Sequence, residues 1–102
     1  SPLMVASYHG NIAAVKSLIR YNADVNTQNK RGTSPLMYSR SCPDVESAKY
    51  CFEYLLSQGA DPSLKDARHR DIVSYLKENG QHELIGLLEI YRSKKAVSDS
   101  LK

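Results

Sequence analysis

The tetrapeptide Ser-Pro-Leu-Met occurs twice, at Ser1-Pro2-Leu3-Met4 and at Ser34-Pro35-Leu36-Met37, and the copies start 33 residues apart (1 to 34). Recurrence at a period of roughly 20 to 50 residues marks a chain built from stacked supersecondary units. A single unit of that kind cannot bury its apolar face, so the core runs from unit to unit and function resides on the outer surface rather than in an enclosed pocket.

Composition is compatible with such a stack. With 102 residues, 41 % of them apolar, 25 % charged and seven tyrosines, the chain can bury a core without disulfides or metals and is neither disordered nor of low complexity. It holds no run of about 18 apolar residues and no basic start leading into an apolar stretch, so no membrane span or secretory signal is read. Cys42 and Cys51 are too few for a disulfide framework and match no metal spacing. They read as reduced thiols in an intracellular protein, cytoplasmic or nuclear, with no metal or cofactor. A net charge of +3 is too mild for a dedicated nucleic-acid binder.

Each unit reads as helix, helix, projecting turn. Val5-Ala6-Ser7-Tyr8-His9-Gly10 closes a first helix near His9 on a glycine suited to the left-handed region. Asn11 is placed to cap a second helix, whose Ile12, Val15, Leu18 and Ile19 form one apolar face. That helix stops at Asn22, and the equivalent stop in the next unit is Gly59; both residue types favour the left-handed conformation. Ala23-Asp24-Val25-Asn26 and Ala60-Asp61-Pro62-Ser63 then lead into polar turns at 27–32 and 65–70.

On these residues the chain resembles the ankyrin repeat family. Asn29, Gly32, Ser34, Pro35 and Leu36 match the family's acidic or amide residue, glycine and Thr-Pro-Leu, while Leu55-Leu56 and Gly59-Ala60-Asp61 match its Leu-Leu pair and Gly-Ala-Asp. Proline at the first helical position forfeits no hydrogen bond, and the hydroxyl before it caps the helix. The implied fold is an all-α helical solenoid of stacked helix-turn-helix units. An ankyrin-repeat domain spans 1–90, in units of about 1–28, 29–65 and 66–90, followed by a polar C-terminal tail, 91–102. The third unit keeps Asp66 and Gly80 but has His69 for glycine and Asp71-Ile72-Val73 for Thr-Pro-Leu, as a C-terminal cap would.

The departures carry expectations of their own. Met4 and Met37 stand where the family has histidine, which predicts looser ties between neighbouring turns. Ala23 and Ala60 are 37 residues apart rather than 33, a four-residue insertion expected between the two helices of the second unit, around Cys42-Pro43-Asp44-Val45-Glu46. The opening at a capping serine suggests additional N-terminal repeats or parent domains, and residues 93–102 are expected to fray.

Ankyrin-like stacks bind proteins through the projecting turns and the solvent side of the first helices. The resemblance therefore nominates Lys30, Arg31, Thr33 and Ser41 in the second unit, Arg68 and Arg70 in the third, and Tyr8 and His9 in the first, with Arg40, Lys65 and Lys77 extending the patch. Three basic residues and no acidic one lie between Thr27 and Ser41; three basic residues face one acidic between Lys65 and Arg70. Such a face suits an acidic protein partner, against the alternative that these cations are merely solvated. Tyr38 and Tyr75 read as packing between units, and Tyr8 as an outward contact.

Other readings are weaker. His9 and Cys42 occupy equivalent positions, but no carboxylate orients the histidine and two ligands do not make a metal site, so the module is read as non-catalytic. His69 and His82 offer no better site. Leu18 followed by Asp24-Val25-Asn26 resembles the ankyrin context in which an asparagine is hydroxylated, against the simpler reading that Asn26 stabilises its turn. Nucleic-acid or nucleotide binding through the same turns is the alternative function. A structural brace, favoured if Leu3, Val5 and Ile12 were exposed at the N-terminal end, is a further one.

Overall fold

The computed structural model describes residues 1–101, and among them there are six helices and no strand. They come in antiparallel pairs: α1 (Pro2–Tyr8) with α2 (Ile12–Arg20), α3 (Pro35–Ser39) with α4 (Val45–Ser57), and α5 (Ile72–Glu78) with α6 (His82–Ser100). Two extended fingers, 21–34 and 58–71, project between the pairs.

Local chemistry sets the boundaries. Ser1, Asn11, Ser34, Asp44 and Asp71 each accept from the backbone N–H three residues on, at 3.0 to 3.3 Å, satisfying one of the donors that every helix start leaves open. Asp71 does in the third unit what Ser1 and Ser34 do in the first two. Helices α2 and α4 are followed by left-handed residues at equivalent places, Asn22 (φ 71°) and Gly59 (φ 97°), as the sequence predicts.

The core is one cluster running through all three units. Leu3, Val15, Leu36, Leu55, Leu56, Ile72, Leu76, Leu84 and Leu88 pack with Phe52, the only phenylalanine, which is fully buried. Ser7 and Ser39 are also buried, each hydroxyl donating at 2.7 Å to a carbonyl within its own helix, so neither leaves a polar group unsatisfied. Leu3 is 2 % exposed and Ile12 half-buried. Of the three apolar residues whose exposure at the N-terminal end would favour a structural brace, only Val5, at 58 %, is exposed.

The four additional residues of the second unit lie in its second helix; the connection 40–44 is longer than 9–11 only because α3 has 5 residues where α1 has 7. The caps Asn11 and Asp44 are 33 residues apart, whereas the helix ends Arg20 and Ser57 are 37 apart, so the difference lies within α4, which has 13 residues against nine in α2. A Cβ at Gly10 would lie 2.5 Å from Ser47 Cβ. The start of α2 therefore stands opposite the end of the first turn of α4, and that turn is the insertion. Four residues nearly equal one helical turn of 3.6, so the apolar face downstream stays in register.

The expectation of a frayed end also needs correction, since α6 continues as helix to Ser100. A helix already nucleated extends through Lys94-Lys95-Ala96, which are good helix formers, with no glycine or proline to stop it. Every described residue after Tyr91 is exposed.

Candidate protein-binding surface

Each finger is held from inside by one side chain. Asn29 Oδ1 accepts from the N–H groups of Arg31 and Thr33, both at 3.0 Å, while its Nδ2 donates to Tyr38 Oη at 3.0 Å. Asp66, 37 residues on, does the same for the second finger: Oδ1 accepts from Arg68 N at 2.9 Å and Arg70 N at 3.1 Å, and Oδ2 accepts from the Tyr75 hydroxyl. That hydroxyl, chiefly, holds the Asp66 carboxyl below the usual carboxylate range, and the same bond pushes the Tyr75 phenol up.

The fingers are also stitched to each other. Asn26 Nδ2 donates to Gly59 O at 3.0 Å and its Oδ1 accepts from Asp61 N at 2.8 Å, so one amide joins two units. Gln28 Nε2 donates to Gly32 O and Lys65 O, and Ala67 N donates to Arg31 O at 2.8 Å. Met4 and Met37, which stand where the family has histidine, are both buried. The Asn26 side chain thus ties its turn to the next unit rather than bonding within its own turn. Gly32 (φ 75°) is required where the fingers meet, because a Cβ there would stand 2.8 Å from Ala67 N and Asp66 Cα. His69, where the family has glycine, does take the left-handed conformation, at φ 63°.

The nominated residues divide into two groups. Lys30, Arg31 and Arg68 are exposed at the finger tips, and Ser41, Tyr8 and His9 are exposed on the first-helix side. Thr33 is half-buried, its N–H held by Asn29. Arg40 and Arg70, by contrast, are half-buried and engaged within the molecule. Their guanidinium carbons lie 4.6 and 4.8 Å from the Tyr75 ring centroid. Arg70 pairs with Glu78, and the Gln81 amide donates to Arg40 O at 2.8 Å. Burial pulls the Arg40 guanidinium below its ordinary value, and its Nε has no hydrogen-bond partner. Tyr75 therefore packs between units as expected, through cations rather than apolar contact. Lys65 and Lys77 remain exposed.

His9 and Cys42 do not assemble a site. The His9 ring stacks edge-on against Tyr8 at 5.3 Å, while Cys42 is buried with Sγ 3.5 Å from Asp44 O. Burial chiefly, with Cys42 adding, pushes the Cys51 thiol up to about 11, far from a reactive thiolate. Among the described residues no group of three or more His, Cys, Asp or Glu could hold a metal, and no helix is long and apolar enough to cross a membrane. Sequence reasoning missed Glu78 as partner of Arg70, Gln28 as a stitch, and Val5 and Tyr38 as walls of a depression beside Tyr8. The Asn29–Tyr38 and Asp66–Tyr75 pairs, both nine residues apart, were the available signal for the last.

Comparison with known proteins agrees with this geometry. A family model described as ankyrin repeats (3 copies) matches residues 1–66. Among solved structures, the chain is similar to EF0377, an ankyrin repeat protein, with a TM-score of 0.80 and 27 % identity over 85 % of this chain and 45 % of that one. It is similar in fold to an ankyrin repeat domain (ABAYE2397) from Acinetobacter baumannii AYE, with a TM-score of 0.80 and 24 % identity over 87 % and 46 %. The chain thus spans about half the length of these structures. No curated protein matches it. With the family pattern over residues 1–66 and the same helix-pair stack in solved relatives, the chain belongs to the ankyrin repeat family, whose repeats generally serve as protein–protein interaction modules.

Proposed function

We propose that this domain is a non-catalytic recognition module whose basic fingers engage an acidic surface on an intracellular protein partner. The observation that carries the reading is the recurrence of exposed cations, Lys30 and Arg31 on one finger and Arg68 on the next, at the tips of fingers stitched into a fixed spacing. The one carboxylate between Lys65 and Arg70, Asp66, is buried and bonded inward. Like charges held in a row raise encounter rate and select for an oppositely charged partner more than they add affinity. The two free, buried cysteines accord with a reducing compartment.

The test is retention of proteins from a lysate by the domain and by a Lys30→Glu, Arg31→Glu, Arg68→Glu variant of unchanged melting temperature. Arg70 is left intact because it is paired within the fold. A discrete protein held by the parent and lost by the variant supports the reading; equal retention overturns it. Retention of nucleic acid instead, with a steep loss on adding salt, would favour a polyanion site.

A further inference from the structure

The two concave positions next to the fingers are chemically equivalent but differently occupied. In the third unit two of the chain's own guanidiniums, those of Arg40 and Arg70, lie over the Tyr75 ring. In the second unit Tyr38 holds the same place relative to its finger, through Asn29, yet among the described residues no cation stacks on its ring. With Ser1, Met4, Val5, Tyr8, His9 and Asn29 it lines an open depression of about 350 Å³. Val5 and Tyr8 are 58 % and 40 % exposed, an arrangement that leaves apolar and aromatic surface in water unless something covers it.

This depression and the cationic tip are built on one residue. Asn29 fixes Tyr38 with its Nδ2 and the Lys30–Arg31 tip with its Oδ1, so one side chain holds both a wall of the apolar socket and the turn that carries two exposed cations. We infer that the occupant is an extended acidic segment of a partner protein, carrying one large apolar or aromatic side chain that seats between Val5, Tyr8 and Tyr38 while flanking carboxylates meet Lys30 and Arg31. The charge of the tip sets the acidity of the segment, and the apolar walls set the anchor, with Tyr8 and Tyr38 supplying aromatic surface of the kind that dominates binding hot spots. A folded acidic surface or a bare polyanion satisfies the cations but leaves the socket empty. The inference rests on the reading of the fingers as a recognition surface and adds the chemistry of what binds there.

Selection of a random peptide library on the immobilised chain tests it. Enriched peptides would be synthesised and their affinities measured by fluorescence anisotropy for the parent, for Val5→Glu, for Tyr8→Ser and for Lys30→Glu with Arg31→Glu, each checked for an unchanged helical melt. The expected peptides carry an apolar or aromatic residue flanked by Asp or Glu, and lose at least about five-fold in affinity to the first two variants and to replacement of their own anchor by alanine. Acidic peptides lacking an anchor, indifferent to Val5→Glu, would overturn the socket while leaving the basic-finger reading standing. Neutral or basic peptides, or no enrichment, would overturn both. Competition by polyglutamate or a single-stranded oligonucleotide as effective as by the selected peptides would also overturn the socket, since neither carries the anchor.

Discussion

The Tyr75 hydroxyl donates to the Asp66 carboxylate nine residues earlier, and that carboxylate is also what holds the Arg68 and Arg70 N–H groups in the second finger. One buried acid therefore ties helix α5 to the loop that precedes it. The first finger does the same with an amide, Asn29, and Tyr38, so the structure contains a charged and a neutral version of one device.

The charged version makes stability depend on pH at both ends. Asp66 has its folded value lowered, so its contribution is complete above the unfolded carboxylate value of about 3.9 and is lost as pH falls through the lower folded value. Tyr75 has its folded value raised, so its contribution is complete below about 10 and is lost as pH rises through the higher folded value. Asp66→Asn should reproduce the Asn29 arrangement at small cost and flatten the acid limb of melting temperature against pH. It will not abolish that limb, because hydrogen bonds from Ser47 and Ser63 lower Asp44 and Asp61 too. Asp66→Ala should cost about 2–3 kcal/mol, the worth of charge-assisted bonds to buried groups. Acid limbs of equal slope in the parent and Asp66→Asn would refute the assignment.

Arg40 and the finger-tip cations should separate cleanly under mutation. Arg40→Ala uncovers Tyr75 and removes a bridge to Gln81, and should lower stability by about 1–2 kcal/mol without weakening partner binding. Arg40→Met should lose less, since it keeps the apolar stem and removes the unpartnered Nε. Lys30→Glu with Arg31→Glu should do the reverse, leaving urea denaturation unchanged and weakening binding. Loss of binding in a stably folded Arg40→Ala would return that residue to the interface.

What the sequence made legible was local. Capping residues, proline at the helix start and the left-handed stops at Asn22 and Gly59 each act within one turn of chain, so a pattern of residue types reveals them. Whether four inserted residues form a loop or a turn is different, because one added turn preserves the apolar spacing downstream and leaves no trace in it. The roles of Arg40 and Arg70 were hidden for another reason. A cation at a predicted surface position looks the same whether it meets water or an aromatic ring 35 residues further on (40 to 75), and only the stacking of units brings Arg40 to Tyr75.

Asn26 joins two units through both ends of its amide. Asn26→Ala should cost about 1–2 kcal/mol, because it leaves Gly59 O and Asp61 N without their partner, and should lower the melting temperature by roughly 4–8 °C per kcal/mol in a domain of this size. Hydrogen exchange provides the sharper readout: protection at Asp61 N–H should fall while that within α4 holds. Unchanged protection at Asp61 would mean that the finger is held by Gln28 and the Ala67–Arg31 bond alone.

Three glycines separate backbone strain from steric overlap. Gly86 sits inside α6 with open space around a would-be Cβ, so Gly86→Ala should gain about 0.5–1 kcal/mol from helix propensity and reduced unfolded-state entropy. Gly59 has φ 97° but nothing within 4 Å, so Gly59→Ala should cost about 1 kcal/mol of conformational strain alone. Gly32 has φ 75° and its Cβ would overlap the backbone of Asp66 and Ala67 at 2.8 Å. Backbone cannot swing aside as a side-chain tip can, so Gly32→Ala should cost more than about 2 kcal/mol and break the Ala67–Arg31 hydrogen bond between fingers. Urea denaturation of the three variants should rank them Gly86, Gly59, Gly32 from most to least stable; equal losses at Gly59 and Gly32 would show that the fingers can part without cost, and that their fixed spacing is not what presents the cations.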